Sequence, residues 1–239
     1  MLDRVLYSSG CIAVSGLARL LLAMDVVYRA PLPDGPKIVA VNHPTTTDPF
    51  FITAVIPDRL HILVSDTLFK VPLFGRYLRA AGHIKVVRGN LSAFRDSVRL
   101  LNQGESIAIF PEGNLSSLTG GCLPPRSGMA RLALTTGAPV IPVGINLQPE
   151  NIRFIEVHVA SGSEESRWYL HGAYAVTVGE AMTFQGNPGD HRLVDAVSER
   201  IMRRIGRLSY EGGRRIGSAQ SVICQPITDT TEMQGVGAG

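Results

Sequence analysis

The chain of 239 residues has little charge for its length. Charged side chains make up 18% of it and hydrophobic residues 45%, whereas an average soluble domain has about 25% charged residues. This composition excludes intrinsic disorder as the main state, because a disordered chain is poor in apolar residues and rich in charge. The net charge of +3 does not predict a nucleic-acid partner and suits only a weak preference for anionic surfaces or ligands.

Cysteine is scarce as well. The chain has three cysteines, Cys11, Cys122 and Cys224, which are far apart and odd in number. That number excludes a disulfide framework and suits a reducing compartment. No cysteine and histidine have the spacing of a zinc site, so the sequence predicts no metal.

No apolar run is long enough to span a bilayer, which needs roughly 20 residues. Residues 2–28 are nevertheless mostly apolar, interrupted by Arg4, Arg19 and Asp25. Such a segment favours an amphipathic helix at a membrane interface, and we assign residues 1–30 to it. An ordinary helix that packs on the core is the alternative interpretation.

Beyond residue 30, short apolar runs alternate with helical patterns, which predicts an α/β fold with a mostly parallel central sheet flanked by helices. This domain is predicted to cover residues 31–216, followed by a disordered tail over 217–239. The predicted strands are 37–41, 60–64, 84–87, 106–110, 140–145, 155–159 and 174–178. The predicted helices are 49–56, 72–81, 91–103, 128–136 and 191–208, the first with Asp48 as its N-cap.

His43 and Asp48 directly follow the first predicted strand, where open parallel sheets bind their ligands. The Asp48 carboxylate is placed to hold one imidazole nitrogen, so that the other can accept a proton from a hydroxyl. His61 and Asp66 have the same spacing, but His61 lies within a predicted strand and is interpreted as structural. For His43 alone, a hydrogen-bonded loop histidine remains the alternative.

Two other strands end in charged residues. Arg88 follows the strand 84–87, and Glu112 and Gly113 follow the strand 106–110. Individually, Arg88 fits a surface salt bridge and Glu112 fits a turn cap. We expect the three strand ends to be neighbours, so that they present a base, a cation and a carboxylate together beside a glycine.

Four motifs in this order resemble the glycerolipid acyltransferases typified by bacterial lysophosphatidate acyltransferase. The resemblance covers residues 36–182. Its motifs are His43-x4-Asp48, the Gly-His-Ile-Lys-Val-Val-Arg run that ends at Arg88, Phe-Pro-Glu112-Gly113, and the Val-Ile-Pro-Val-Gly-Ile run over 140–145.

The resemblance implies a mechanism and partners. His43, held by Asp48, deprotonates the hydroxyl of a lysophospholipid, which attacks the thioester of acyl-CoA or acyl-carrier protein without an acyl-enzyme. Arg88 binds the acceptor phosphate, Arg126 is a second anion ligand, and Glu112 with Gly113 shapes the acceptor site. The fourth motif lines the acyl region. The resemblance implies no cofactor, and a peripheral or monotopic position among membrane lipids at the cytoplasmic face.

One departure from the family pattern concerns the acceptor. The third motif commonly continues Thr-Arg-Ser, but here it continues Asn114-Leu115-Ser116, and leucine cannot replace a forked guanidinium. Lysophosphatidate is the expected acceptor, with a lyso-aminolipid or another lysophospholipid as the alternative. A non-catalytic membrane adaptor with the same fold is the alternative from another functional class.

Overall fold

The computed structural model describes residues 20–117, 122–159 and 162–218, together with Gly10, Gly16 and Ala18. The strands of this part are β1 Leu22–Tyr28, β2 Ile38–Val41, β3 Leu60–Ser65, β4 Ile84–Val86, β5 Ser106–Ile109, β6 Val140–Leu147, β7 Ile152–Val159, β8 Gly162–Tyr169 and β9 Gly172–Val178. The helices bounded within it are α1 Asp48–Val55, α2 Phe74–Ala80, α3 Ser92–Asn102, α4 Gly128–Thr136 and α5 His191–Arg215.

A seven-stranded sheet forms the centre, in the order β1-β9-β6-β2-β5-β3-β4. The strands from β6 to β4 are mutually parallel. Strand β9 is antiparallel to β6, and β1 is parallel to β9, so these two run the opposite way. Strands β7 and β8 form a separate antiparallel pair. The predicted mostly parallel α/β sheet is thereby confirmed.

Strand β2 shows how the sheet separates two core layers. Successive side chains of a strand point to opposite faces. Val39 and Val41 accordingly join the layer that contains α1 and the aromatic residues of β8 and β9. Ile38 and Ala40 join the layer formed with α3, α4 and α5. All four side chains are buried, so β2 is a central strand whose carboxyl end is firmly placed.

Helix α5 extends beyond its predicted end at residue 208. Gly212 and Gly213 resemble a helix stop, but Gly212 packs against β9, where an added Cβ would lie 3.2 Å from the Cβ of Ala175. Near the end of the helix, the guanidinium of Arg215 donates to Asp25 at 2.6 Å and to Thr177 at 3.0 Å. Close packing on the sheet therefore carries the helix through the glycines to Arg215.

The predicted N-terminal helix does not extend through residues 22–28, so the helix prediction is wrong there. Leu20 and Leu21 are helical, but β1 begins at Leu22. The β-branched and aromatic residues at the end of β1 favour a strand, and β1 pairs with β9 along its whole length. Most of residues 1–19, and residues 219–239 of the predicted tail, lie outside the described residues.

None of the helices in the described ranges is long and apolar enough to cross a bilayer. Gly10 lies against α2, where an added Cβ would be 2.3 Å from the hydroxyl oxygen of Tyr77. The membrane-binding role assigned to residues 1–30 stays a prediction.

Cys122 forms a disulfide bond, whose partner lies outside the described residues. A reducing compartment would favour three free thiols, and the disulfide of Cys122 does not agree with that expectation. Separation along the chain does not decide which cysteines meet in space, because folding brings distant segments together.

Candidate active site

His43 lies two residues beyond β2, at the carboxyl edge of the parallel strands. Its Nδ1 is 3.1 Å from Oδ2 of Asp48, and its ring stacks on Phe110 with centroids 4.2 Å apart. The His43 side chain is 18% exposed, and within the described residues its Nε2 has no hydrogen-bond partner. The structure thus brings the predicted pair together and leaves one imidazole nitrogen available to a ligand.

The carboxylate of Asp48 is fully buried and surrounded by donors. Oδ2 accepts from the backbone N–H of Thr45 at 2.7 Å in addition to facing His43. Oδ1 accepts from the Thr45 hydroxyl at 2.6 Å and from the Tyr174 hydroxyl at 2.8 Å. These bonds fix the direction of the carboxylate, with Oδ2 toward His43. Asp48 is the first residue of α1, and the cap position is Thr47, so the predicted N-cap role was wrong.

Tyr174, on β9, is a site residue that the sequence did not reveal. Burial, followed by the negative charge of Asp48 and the hydrogen bond to it, raises the pKa of Tyr174 well above its usual value. The phenol therefore stays protonated and donates to Asp48. Its contact with Asp48 spans 126 residues of sequence, and no local pattern links such distant positions.

The loop between His43 and Asp48 is attached to strand β8. The backbone N–H of Thr46 donates to the carbonyl of Arg167 at 2.8 Å, and the Thr46 hydroxyl accepts from the Arg167 N–H at 3.1 Å. The Thr47 hydroxyl lies 3.4 Å from both the N and the O of Tyr169. The threonines thus bind the loop to the β7–β8 pair, which the sequence reading did not assign to the site.

Glu112 is buried, with 3% of its surface exposed, and both its oxygens have protein partners. Oε1 accepts from the backbone N–H of His43 at 3.3 Å and from the Ser116 hydroxyl at 2.5 Å. Oε2 accepts from the backbone N–H of Leu123 at 2.8 Å. Such contacts position the backbone of His43, and they favour a positioning role over direct contact with the acceptor. The predicted acceptor role stays a prediction.

Gly113 and Arg126, both assigned to the acceptor site from the sequence, lie against each other, and that assignment stays a prediction. Gly113 has a φ of +66°, and an added Cβ would lie 2.1 Å from Nε of Arg126, so a larger residue would displace the guanidinium. The backbone N–H of Arg126 donates to the Pro111 carbonyl at 2.8 Å. Arg126 is exposed, which leaves its charge accessible beside the residue that follows Glu112.

Arg88 is farther from His43 than predicted. It follows β4, an edge strand that β3 separates from β5, so the expectation of three neighbouring strand ends was wrong. Because strands lie roughly 4.8 Å apart, the ends of β4 and β2 are about 14 Å apart. Arg88 is exposed, and within the described residues no carboxylate pairs with it.

The fourth motif forms most of β6, whose eight residues are all buried. The Asn42 side chain, just before His43, bonds to both the carbonyl and the N–H of Ile145, at 2.9 Å and 2.7 Å. Strand β6 thereby supports the start of the loop that carries His43 and Asp48. That this motif lines an acyl region stays a prediction.

His61 lies in β3 and is separated from His43 by the intervening strand β5. It is 4% exposed, and its Nδ1 is 2.6 Å from the carbonyl oxygen of Gly82. The neighbouring His83 accepts from the Ile62 N–H at 3.2 Å, and burial lowers its pKa to about 4. These contacts agree with a structural role for His61.

Within the described residues, no group of three or more histidine, cysteine or acidic side chains could hold a metal ion. The site as described consists of an imidazole, buried carboxylates, hydroxyls and exposed guanidinium groups. This set is suited to moving a proton between His43 and a hydroxyl beside an anionic group.

Comparisons with known proteins place these residues in a family. A 1-acyl-sn-glycerol-3-phosphate acyltransferase from Cocos nucifera is 32% identical over 111 residues, 44% of this chain and 36% of that protein. One of the same name from Neisseria meningitidis is 27% identical over 138 residues, 56% of this chain and 53% of that protein. The chain thus spans between about a third and about half of these relatives' lengths.

A solved structure has the same fold. The 1-acyl-sn-glycerophosphate (LPA) acyltransferase PlsC from Thermotoga maritima superposes with a TM-score of 0.58 at 23% identity, covering 86% of this chain and 79% of that chain. The sequence model of the family described as Acyltransferase matches residues 23–146, just over half of the chain. This segment contains all four motifs, and the chain therefore belongs to the acyltransferase family.

Proposed function

We propose that the protein transfers a fatty acyl group from a thioester, acyl-CoA or acyl-carrier protein, to the hydroxyl of a lysophospholipid. Lysophosphatidate is the proposed acceptor and phosphatidate the product, formed for phospholipid synthesis at the cytoplasmic face of the membrane. The observation that carries the proposal is the pair of His43 and Asp48, 3.1 Å apart. A buried carboxylate holds one nitrogen of this imidazole, while the other has no hydrogen-bond partner among the described residues.

The proposed reaction is direct. Nε2 of His43 accepts the proton of the acceptor hydroxyl as its oxygen attacks the thioester carbonyl. The tetrahedral intermediate collapses with cleavage of the carbon–sulfur bond, and the imidazolium returns the proton to the departing thiolate. Asp48 stabilises the imidazolium that exists between these steps. No serine nucleophile in a G-x-S-x-G elbow is present in the sequence, in accord with a mechanism without an acyl-enzyme.

A panel of acceptors tests this function directly. Purified protein is incubated with labelled acyl-CoA or acyl-carrier protein and with lysophosphatidate, lysophosphatidylethanolamine, lysophosphatidylglycerol or a lyso-aminolipid. We expect labelled diacyl product, with lysophosphatidate giving the largest kcat/KM. Preference for the lyso-aminolipid would support the alternative that Leu115 suggests. Absence of product with every pair would contradict catalysis and favour the adaptor.

Arg126 is proposed to bind the acceptor phosphate in preference to Arg88. It lies beside Gly113, whereas Arg88 is at the far edge strand. We expect Arg126→Gln to raise the KM for lysophosphatidate about tenfold, because a charge-assisted hydrogen bond contributes about 1.5–3 kcal/mol. Initial rates at varied acceptor and fixed donor measure this effect.

Two arginine variants are the controls for Arg126. Arg88→Gln tests the other predicted phosphate ligand, and the exposed Arg95 of α3 gives Arg95→Gln with the same change in charge. We expect Arg95→Gln to leave KM within twofold of wild type. A larger rise in KM for Arg88→Gln than for Arg126→Gln would reverse the assignment.

A further inference from the structure

A second basic site lies at the opposite edge of the sheet from His43. A cleft of about 440 Å³ separates the segment Glu180–Thr183 from one face of α5. We call it the arginine cleft, after the four arginines that α5 contributes: Arg200, Arg203, Arg204 and Arg207. Its volume is within the roughly 300–1,000 Å³ typical of small-molecule sites.

The position of the arginine cleft separates it from acyl transfer. Met182 in its wall pairs with Val140, the first residue of β6. His43 instead lies two residues beyond Val41, the last residue of β2, which pairs with Val143. The cleft therefore borders the amino ends of the parallel strands, and the candidate active site borders their carboxyl ends. A ligand in the cleft does not contact the catalytic pair.

The wall opposite α5 is held in place by the sheet. Met182 and Val140 exchange two backbone hydrogen bonds of 2.8 Å. Arg200 lies over the ring of Phe184, with Cζ 5.8 Å from the centroid, and Arg203 pairs with Glu199 at 3.3 Å. Two of the arginines are thus restrained by neighbouring side chains.

Arg204 and Arg207 differ from these two arginines. Within the described residues, neither makes an ion pair or a side-chain hydrogen bond, and Arg204 is half-buried. Glu180 lines the cleft but forms no ion pair with either of them. In the part of the chain that the structure describes, the charges of Arg204 and Arg207 therefore have no compensating carboxylate.

The spacing of the four arginines along α5 adds repulsion between their charges. Residues three and four apart on a helix are neighbours, and like charges there destabilise the helix. Arg200, Arg203, Arg204 and Arg207 form several such pairs along one face. A multivalent anion bound among them would relieve this repulsion.

We propose that the arginine cleft binds a multivalent phosphate group, as a free phosphate ester or as a phospholipid headgroup. Guanidinium groups match phosphate oxygens in planar, bidentate pairs. The cleft is lined by four positively charged guanidinium groups and by one carboxylate, that of Glu180, so its lining has a net positive charge. The site is additional to the proposed acceptor site at Gly113 and Arg126.

Titration of the whole protein with inorganic pyrophosphate at low salt tests the proposal. Calorimetry should show saturable binding that weakens as added salt screens the charges. The double variant Arg204→Gln/Arg207→Gln should bind at least about tenfold more weakly, since it loses charge-assisted bonds.

The matched control is Arg95→Gln/Arg192→Gln. It removes the same number of charges, and Arg192 is an exposed residue of the same helix outside the cleft. We expect it to bind pyrophosphate within twofold of wild type. Far-ultraviolet circular dichroism and thermal unfolding establish that both double variants are folded.

Co-sedimentation with vesicles identifies the source of the phosphate. If the ligand is a headgroup, phosphatidylcholine vesicles with added phosphatidate, whose phosphate monoester can carry two charges, should bind wild type and the control more than the cleft variant. If it is a soluble ester, the three proteins should sediment equally while pyrophosphate binding still differs. The proposal is overturned if neither probe distinguishes the cleft variant from the control.

Discussion

We expect the His43→Ala variant to transfer acyl groups about 10²–10⁴-fold more slowly than wild type, the usual contribution of a positioned proton acceptor. The variant keeps the buried Asp48 and its donors from Thr45 and Tyr174 but has no group to take the hydroxyl proton. The measurement is kcat from initial rates with labelled donor and saturating lysolipid. Loss of the ring stacked on Phe110 should also lower the free energy of unfolding by about 1 kcal/mol.

The matched control for this change is His171→Ala. His171 is exposed between β8 and β9, so its removal alters the histidine content but not the site. We expect wild-type kcat for His171→Ala and cooperative urea unfolding for both variants. Wild-type turnover by folded His43→Ala would show that another group is the base.

The second large effect is expected from Asp48→Asn, which should lower kcat about tenfold to a hundredfold with little change in KM. The backbone N–H of Thr45 donates toward Oδ2 and cannot become an acceptor. The asparagine oxygen should therefore occupy that side and still hold Nδ1 of His43. What is lost is the negative charge that stabilises the imidazolium, and hydrogen bonds to a charged group contribute about 1.5–3 kcal/mol.

Tyr174→Phe tests whether Asp48 acts through its negative charge or by holding His43 in position. It keeps the volume of the buried ring and removes one donor to Oδ1. We expect a loss of about 1 kcal/mol in stability and less than a tenfold loss in kcat. If Tyr174→Phe slows the reaction as much as Asp48→Asn, the effect of the asparagine comes from misplacing His43 rather than from lost charge.

The parallel strands and most helices were predictable because their patterns are local. Helix α4, Gly128–Thr136, agrees with its predicted bounds. Strand β8, Gly162–Tyr169, was missed because its polar run lacks the alternation that marks a half-buried strand. Strand β1 was predicted to be helical. Its apolar sequence does not show that it pairs with β9, which lies about 150 residues later in the chain.

The candidate site was predictable where one loop supplies it. The spacing of His43 and Asp48 suggested their pairing, and the structure brings the two together. The orientation of Glu112 was not predictable, since residue type does not show whether a carboxylate faces a ligand or the backbone of His43. The separation of Arg88 from the site depends on the order of the strands in the sheet. That order is determined by the connections between strands and is not visible in any motif.

The attachment of the Thr45–Asp48 loop to β8 and β9 has a consequence for the order of folding. Its contacts with Arg167, Tyr169 and Tyr174 join positions 121 to 126 residues apart. Contacts between residues so far apart in sequence form after local ones, because the chain must first lose the entropy of closing a long loop before the contact contributes favourable energy. During refolding, the helical signal should therefore recover before the loop is fixed, and the contact between His43 and Asp48 should be among the last to form.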